Sequence, residues 1–223
     1  MIGAGVTPRW SAQVHTDCAR HTGLLPLMRR AGCNTGYVGF ESINPEALRL
    51  YDKAQTIAAM ERAVGAIQEA GICVHGMFVF GSDADTEETI RETAGWAKTR
   101  GLDTVQFLIL TRLPGTRVYE NLQRTGRLHT GDWPLYDTHH VVFRPSKMSA
   151  YALQMETLRA QGSFYSVGRS LSSAVSGQGY NALIRLYAGR HNRVWRRTHE
   201  DYLEQLRGVD RELQHDGGAA HAA

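Results

Sequence analysis

The stretch that decides the fold runs from Gly71 to Thr86 and reads Gly-Ile-Cys-Val-His-Gly-Met-Phe-Val-Phe-Gly-Ser-Asp-Ala-Asp-Thr. Residues 72–80 are almost all apolar and rich in β-branched and aromatic types, which predicts a strand buried on both faces within a parallel sheet. Gly71 suits the end of a preceding helix, and Asp85 or Thr86 suits the N-cap of a following one. The stretch therefore predicts a helix, a strand, a loop and a second helix in close succession.

The same pattern recurs along the chain. Further strands are predicted at residues 10–15, 35–41 and 104–110, and helical apolar stripes separate them. Since each strand is too far from the next for a hairpin, right-handed parallel crossovers are the expected connections. The sequence predicts an α/β fold, namely an incomplete (β/α) barrel of the TIM type with about four parallel strand–helix units, followed by a mostly helical C-terminal region.

The regular alternation ends at Gly126. Residues 1–126 are predicted to form the barrel portion, residues 127–215 a helical extension and residues 216–223 a disordered tail. Within the extension, the pattern predicts a short extra strand at 141–143 and helical structure over 181–206 that is weakened at Gly189.

The composition is ordinary for a globular protein, with 42% apolar and 21% charged residues among 223. A formal charge of +3 is too small to indicate a nucleic-acid partner. Neither a membrane-spanning run nor a signal-peptide pattern is present, so we expect a cytoplasmic protein. The cysteines Cys18, Cys33 and Cys73 have no paired spacing, which argues against a disulfide framework and a zinc site.

The predicted sheet has two edges, and neither the first nor the last strand carries proline or lysine to protect its edge. Residues 1–7 are too few for another strand–helix unit. The sheet is therefore expected to continue in an upstream segment, another polypeptide or a second copy of the chain. In the alternative interpretation, residues 1–8 or the C-terminal helices cover the edges.

Polar residues occupy positions from which a ligand is expected to be bound. Ligands of parallel α/β folds lie at the carboxyl ends of the strands, and Gln13, Glu41 and Ser42 are near those ends. A packed barrel centre would prefer aliphatic side chains, so polar ones predict a ligand-filled lumen. The alternative is that Gln13, His75 and Gln106 are buried and hydrogen-bonded to one another or to water.

Several ordered segments together resemble a known family. They are Ala31-Gly32-Cys33, Gly39-Phe40-Glu41-Ser42-Ile43-Asn44, Gly76-Met77-Phe78-Val79-Phe80-Gly81, Leu110-Thr111-Arg112-Leu113-Pro114-Gly115-Thr116, Lys147-Met148-Ser149 and Phe164-Tyr165-Ser166. Across about residues 8–170 the chain resembles the radical S-adenosylmethionine (SAM) superfamily. The likeness is to its cobalamin-binding branch, which includes magnesium-protoporphyrin monomethyl ester cyclase-like and hopanoid-associated proteins.

The resemblance implies a partial (β/α)6 barrel whose lumen binds SAM beside a [4Fe–4S] cluster, with cobalamin in the full-length family. Reductive cleavage of SAM in such proteins gives a 5′-deoxyadenosyl radical that abstracts hydrogen from the substrate. Glu41 matches the acidic residue near the SAM ribose, where a carboxylate accepts hydrogen bonds from the diol. Gln13 and Ser42 are implied as lesser polar contacts, and Leu110 as a neighbour of the adenine.

Two departures from the family pattern limit what the resemblance implies. Arg112 stands where the family usually has proline, which implies a different loop or a contact to an anionic substrate. The cluster-binding CxxxCxxC is absent, together with the first two strands, the upstream glycine-rich segment and a cobalamin domain. Cys18, Cys33 and Cys73 do not reproduce the spacing in which three thiolates hold the cluster.

The resemblance therefore implies the C-terminal part of a radical SAM enzyme, inactive alone and completed by a missing N-terminal barrel half or a partner chain. The substrate is expected to be a small molecule, apolar or planar by analogy with the branch. One alternative is a non-catalytic interaction module or split subunit that pairs through the half-barrel edge. Another is a different α/β-barrel enzyme with its own small-molecule site.

Three further groups each allow two interpretations. His139 and His140 beside Asp137 are expected in a loop that faces solvent or substrate, with a metal site as the alternative. Five arginines are expected to form a solvated face paired with acidic neighbours, with nucleic acid or anionic lipid as the alternative partner; they are Arg185, Arg190, Arg193, Arg196 and Arg197. Asp83 and Asp85 are expected to cap the helix after their strand rather than to act as an acid–base pair.

Overall fold

A computed structural model describes residues 8–21, 23–175 and 179–219, with side chains for all of these except 179–180 and 212–219. Within these residues four parallel strands form one sheet, and their order in the sheet follows the chain. The strands are β1 (Trp10–Val14), β2 (Cys33–Glu41), β3 (Cys73–Phe80) and β4 (Thr104–Ile109). The sheet is not closed into a barrel, and the predicted incomplete (β/α) barrel is confirmed.

Helices connect the strands as the sequence predicts. They are α1 (Leu24–Arg30), α2 (Pro45–Leu50), α3 (Ile57–Glu69) and α4 (Glu87–Thr99). Asn44 and Thr56 cap α2 and α3 with their side chains, because the first amide groups of a helix lack partners within it. Of the two candidates for the N-cap of α4, Thr86 is the cap, and it exchanges hydrogen bonds with Thr89 in a capping box.

Only one face of the sheet is buried. In β3 the fully buried Val74, Gly76, Phe78 and Phe80 alternate with half-buried residues at 73, 75, 77 and 79. The prediction of a strand buried on both faces is therefore wrong: the apolar side packs under the helices, while the other side remains accessible. We call that second side the open face of the sheet; it carries Gln13 of β1, Tyr37 and Gly39 of β2, His75 and Met77 of β3, and Thr104 and Gln106 of β4.

The C-terminal region covers the outer edge of β4. The Tyr165 hydroxyl accepts a hydrogen bond from the Val105 amide at 2.8 Å and donates one to the Val105 carbonyl at 2.6 Å. The Ile109 amide donates to the carbonyl of Thr138 at 2.8 Å. At the start of the strand, the buried Arg185 guanidinium donates to the carbonyls of Leu102 and Asp103. The alternative interpretation, in which the C-terminal region covers an edge, is thus correct for β4.

The outer edge of β1 differs from that of β4. Among the described residues no strand pairs with it, since β1 is hydrogen-bonded to β2 alone. Residues 1–7, whose contribution to this edge the sequence left open, lie outside the described residues. Within the described structure, the outer edge of β4 is therefore covered by other parts of the chain, whereas the outer edge of β1 has no strand partner.

The C-terminal region is helical, as predicted. Its helices are α6 (Ala150–Phe164), α7 (Val167–Val175), α8 (Gly179–Thr198) and α9 (Glu200–Ala219). Helix α5 (Arg117–Arg124) follows β4 in the barrel portion, and 3-10 turns lie at Thr16–Arg20 and at Trp133–Leu135. The sequence analysis missed α7. It was wrong about a strand at 141–143, where Phe143 makes a single antiparallel bridge to Leu128.

Gly189 does not weaken the helix around it. The helical stretch is interrupted between Thr198 and Glu200, and Gly189 lies inside α8. Glycine suits this position because a side chain there would begin 2.6 Å from the Tyr165 carbonyl oxygen. Residues 220–223 of the predicted tail lie outside the described residues, whereas α9 extends to Ala219. Within the described chain, no helix has the length and apolar character that crossing a membrane requires.

Candidate functional site at the carboxyl ends of the strands

Glu41 ends β2 in a conformation that turns its side chain over the open face. Its φ of 62° is left-handed, and its Oε1 lies 2.9 Å from where a side chain on Gly39 would begin. A glycine at position 39 therefore provides the space in which the carboxylate lies. Lys53 holds the same oxygen at 3.2 Å. This arrangement leaves the second carboxylate oxygen for a donor such as a ribose hydroxyl, so Glu41 fits the role that the resemblance implies.

Gln55 stabilises the backbone at this point, and the sequence analysis missed it. Its amide donates to the Gly39 carbonyl at 3.2 Å, and its side-chain oxygen accepts from the Thr16 hydroxyl at 3.1 Å. Gln55 is buried, and it lies two positions after Lys53, the residue that pairs with Glu41. Nothing in the local pattern of residues 51–56 predicts this contact, because it joins positions that are distant in sequence.

The other predicted site residues have different surroundings. Gln13 is exposed on the open face, in one row with Tyr37, His75 and Thr104. Ser42 is 2% exposed, and its hydroxyl accepts a hydrogen bond from the Asn44 amide at 3.0 Å. That bond supports the turn before α2. The roles of Gln13 and Ser42 as SAM contacts stay predictions.

His75 lies on the open face, opposite Tyr37 of β2 and Thr104, the first residue of β4. Its ring contacts Tyr37, with the ring centroids 4.6 Å apart, and its Nδ1 is 2.8 Å from the Thr104 hydroxyl. Burial lowers the pKa of His75 to about 4, so the ring is neutral at pH 7. The alternative interpretation, in which Gln13, His75 and Gln106 are buried and bonded to one another or to water, differs from this arrangement: Gln13 is exposed, and His75 is half-buried with Thr104 as its partner.

Leu110 lines a cavity of about 560 Å³ at the carboxyl ends of β3 and β4. Its amide donates to the Phe80 carbonyl at 2.8 Å, which continues the pairing of the two strands by one residue. Tyr51 also lines this cavity, and its hydroxyl donates to the Val79 carbonyl at 3.5 Å. Burial raises the pKa of Tyr51, and the charges of Asp85 and Glu41 act in the same direction. Glu41 ends β2 and Leu110 follows the last residue of β4, so both lie at the carboxyl-terminal edge of the sheet.

The two aspartates after β3 shape the loop and do not form an acid–base pair. Asp85 is 2% exposed and accepts hydrogen bonds from the amides of Gly81 and Ser82, at 2.9 and 2.8 Å. Asp83 accepts two hydrogen bonds from Arg127, at 2.6 and 3.3 Å, and this pairing lowers the pKa of Asp83. Neither residue caps α4, so their predicted capping role is wrong, although their structural role is confirmed.

The histidines and arginines of the C-terminal region also depart from expectation. His140 is buried, bonded to Asp137 at 2.9 Å and packed among Trp195 and Tyr202, whereas His139 is exposed. Arg185 is 6% exposed and anchors β4, so it does not belong to a solvated face. The other four arginines are exposed, and no ion pair joins them to the described acidic residues.

The described residues do not fit an iron–sulfur cluster. Cys18 and Cys33 are buried, Cys73 is half-buried, and no disulfide joins them. Burial raises the pKa of each of the three thiols, which opposes the thiolate form that binds iron. Within the described part of the chain no three His, Cys, Asp or Glu side chains are grouped as a metal site would need.

Comparison with known proteins finds relatives that match part of this chain. The chain is 28% identical over 174 residues to bacteriochlorophyllide d C-12(1)-methyltransferase of Chlorobaculum tepidum, across 78% of this chain and 38% of that protein. It is 27% identical over 133 residues to the anaerobic magnesium-protoporphyrin IX monomethyl ester cyclase of Rubrivivax gelatinosus, across 60% of this chain and 24% of the cyclase.

A hopanoid C-2 methylase of Rhodopseudomonas palustris is 32% identical over 113 residues, across 50% of this chain and 21% of the methylase. The resemblance to the cobalamin-binding branch of the radical SAM superfamily is thereby confirmed, because the cyclase and the hopanoid methylase are representatives of the branch that the sequence motifs indicated. No family model matches the chain. The chain spans well under half the length of these curated relatives.

Among solved structures, the archaeal Elp3 of Methanocaldococcus infernus has the same fold as this chain. The TM-score is 0.52 at 16% identity, and the match covers 69% of this chain and 32% of the Elp3 chain. This likeness concerns the fold alone. It agrees with the arrangement of parallel strands and helices described above.

Proposed function

We propose that this chain forms the C-terminal strand–helix units of a radical SAM barrel and contributes one wall of the lumen that holds SAM and substrate. The observation that carries the proposal is the one-sided burial of the sheet. Its open face is lined with Tyr37, His75 and Gln106 although its other face is packed under helices. A wall of a ligand-filled lumen has this character, whereas a self-sufficient core would bury both faces.

In this proposal Glu41 accepts hydrogen bonds from the SAM ribose, with Gln13 and Ser42 as lesser contacts and Leu110 beside the adenine. SAM, when bound with the cluster, supplies the radical that abstracts hydrogen from the substrate. The support for Glu41 is its left-handed turn over Gly39 and its single counter-ion at 3.2 Å. The names of two relatives refer to tetrapyrroles. By analogy, we propose an apolar or planar organic substrate for the barrel to which this chain contributes.

We further propose that residues 1–126 act as the barrel portion and that the remaining strands, with the cluster ligands, pair at the outer edge of β1. Those strands come from an N-terminal barrel half or a partner chain. The support is the contrast between the two edges, because β4 is covered by Tyr165 while no described strand pairs with the outer edge of β1. An unpaired edge is a ready site for strand addition. Without that addition, the chain has no cluster ligands and is inactive.

Anaerobic reconstitution tests the proposed inactivity. The 223-residue chain is incubated with iron, sulfide and a reductant, and cluster content and 5′-deoxyadenosine are then measured. We expect neither a stoichiometric cluster nor SAM cleavage. A stoichiometric cluster with SAM cleavage by the chain alone would overturn the proposed inactivity.

Hydrogen exchange tests where the remaining strands pair. The chain is mixed with the CxxxCxxC-containing N-terminal half of a relative's barrel, and amide exchange is followed by mass spectrometry. Amides of β1 are expected to exchange fast in the isolated chain and slowly in the mixture, whereas those of β4 stay slow throughout because Tyr165 covers that edge. Unchanged exchange in β1 despite complex formation would contradict the proposed pairing.

The same unpaired edge supports a second candidate, a non-catalytic interaction module. The two candidates differ in what the assembled protein does. A module would show β1 protection on binding its partner with no SAM cleavage in the reconstituted complex, while the radical SAM proposal requires cleavage that depends on Glu41.

A further inference from the structure

Arg112 is a half-buried cation that lacks an anion. It makes no hydrogen bond and no ion pair with any described residue, and its Nε is fully buried without a partner. Its guanidinium lies over the ring of the buried Phe143, with Cζ 5.8 Å from the ring centroid. Burial lowers the pKa of Arg112, which reflects the cost of holding this charge away from water.

The nearest source of negative charge is already occupied. Asp83 influences Arg112 electrostatically, but both of its oxygens are held by Arg127, and Ser146 donates to one of them at 2.8 Å. Because a buried guanidinium with open donors is costly, a position that keeps one is favourable for binding an oxyanion. Among the described residues, the surroundings of Arg112 therefore lack one negatively charged group.

The surroundings of Arg112 indicate the rest of the ligand. Arg112 lines the cavity of about 560 Å³ that also contains Leu110, and the same cavity is walled by Leu50, Leu113 and Val118, which are 58%, 56% and 40% exposed. Asp83 also lines the cavity, but its charge is neutralised by its ion pair with Arg127. Apolar side chains left this exposed around one unpaired guanidinium suit an apolar molecule with one acidic group. Arg117 also reaches this cavity, but it is exposed at the start of α5, where solvent screens its charge.

We propose that Arg112 determines substrate specificity by pairing with a carboxylate on an apolar organic substrate bound in this cavity. A single guanidinium neutralises a single carboxylate and matches its planar geometry, which favours this anion over a doubly charged phosphate. The inference rests on the proposed function only in assigning the ligand as the substrate. This cavity and Glu41 both lie at the carboxyl ends of the strands, so SAM and this ligand would bind at the same edge of the sheet.

The test uses 1-pyrenebutyrate, a planar fluorescent carboxylate, and its uncharged methyl ester, titrated into the full chain. We expect Arg112→Met to weaken binding of the acid about tenfold or more and to leave binding of the ester unchanged. Arg112→Lys keeps the charge and should lose part of the affinity. The matched control is Arg117→Met, which removes an exposed arginine of the same cavity and should change either affinity less than twofold.

Four outcomes would overturn the proposal. They are equal binding of acid and ester by the unaltered chain, an unchanged acid affinity in Arg112→Met, an equal loss in Arg112→Met and Arg117→Met, and no saturable binding of either probe. Displacement of the acid by inorganic phosphate but not by acetate would overturn the choice of a carboxylate. Thermal unfolding of each variant verifies that it is folded. None of these measurements needs SAM or a cluster, so their failure is distinguishable from failure of the proposed function.

Discussion

The hydroxyl of Tyr165 satisfies both backbone groups of Val105, accepting from its amide at 2.8 Å and donating to its carbonyl at 2.6 Å. At Val105, one side chain thus takes the place of a further strand beyond β4, while Thr138 bonds to Ile109 farther along the same edge. Tyr165 is itself buried, and burial raises its pKa to about 12, so it stays protonated and able to donate at any ordinary pH.

Tyr165→Phe removes the partner of two buried backbone groups and nothing else. We expect the free energy of unfolding to fall by about 2–6 kcal/mol, since two buried groups lose their partner and each unsatisfied group costs about 1–3 kcal/mol. Urea unfolding monitored by circular dichroism measures this. Tyr187→Phe, at a position 73% exposed on α8, is the control and should change stability by less than about 0.5 kcal/mol. Equal stability of the two variants would show that the edge of β4 is satisfied in another way.

Gly189→Ala tests the close approach of α8 to the end of α6. Alanine is intrinsically better than glycine in a helix by about 1 kcal/mol, yet here its side chain would begin 2.6 Å from the Tyr165 carbonyl oxygen. We therefore expect a loss of about 1–3 kcal/mol in the free energy of unfolding. Gly208→Ala in α9, where no described atom outside the helix's own backbone lies within 4 Å of the new side chain, should instead stabilise the chain slightly. Two changes of the same sign would contradict this packing.

His75 makes stability depend on pH. Its pKa is about 4 in the folded chain and near 6.5 in the unfolded chain, so between these values the unfolded state binds more protons. Stability therefore decreases as the pH falls from about 6.5 to about 4, and the loss levels off below that. From pH 7 to pH 4.5 this residue should account for about 2 kcal/mol.

The difference between the unaltered chain and His75→Gln isolates this contribution, because other titrating groups cancel. Between pH 7 and pH 4.5, the free energy of unfolding should fall by about 2 kcal/mol more in the unaltered chain than in His75→Gln. His191→Gln, at an exposed position of α8, serves as the control. An identical pH dependence in His75→Gln and the unaltered chain would refute the assignment.

Glu41→Gln tests the SAM contact in the assembled barrel. The charge and one strong acceptor are lost while the shape is kept, so SAM affinity should fall about tenfold, and cleavage with it. Glu46→Gln is the control: Glu46 is exposed on α2 and pairs with Lys147 at 3.5 Å, away from the open face. A Glu41 variant with unchanged SAM affinity would remove this residue from the site.

Much of the fold could be predicted from the sequence because the local signals are strong. Gly71, Asn44 and Thr86 mark helix ends by the chemistry of their own side chains or by the lack of one, and the structure uses all three. The apolar run before Gly81 correctly predicts β3, but it does not reveal that Cys73, His75, Met77 and Val79 face an accessible side. Composition records hydrophobicity, whereas burial depends on what else packs on the sheet.

The site was less predictable. Glu41 was found through its motif, and its left-handed turn over Gly39 explains why that motif combines glycine and glutamate. Gln55, Tyr51 and the pairing of Arg127 with Asp83 were missed because these contacts join residues that are distant in sequence. Tyr165 belonged to a motif segment, yet its role at the edge of β4 follows only from the position of α6.

The inequality of the two sheet edges limits how far this chain can self-associate. A molecule with two free edges would add copies at both sides without end. With β4 sealed by Tyr165, two copies that joined through β1 would leave no acceptor for a third, so growth would stop at a dimer and fibres could not propagate by this route.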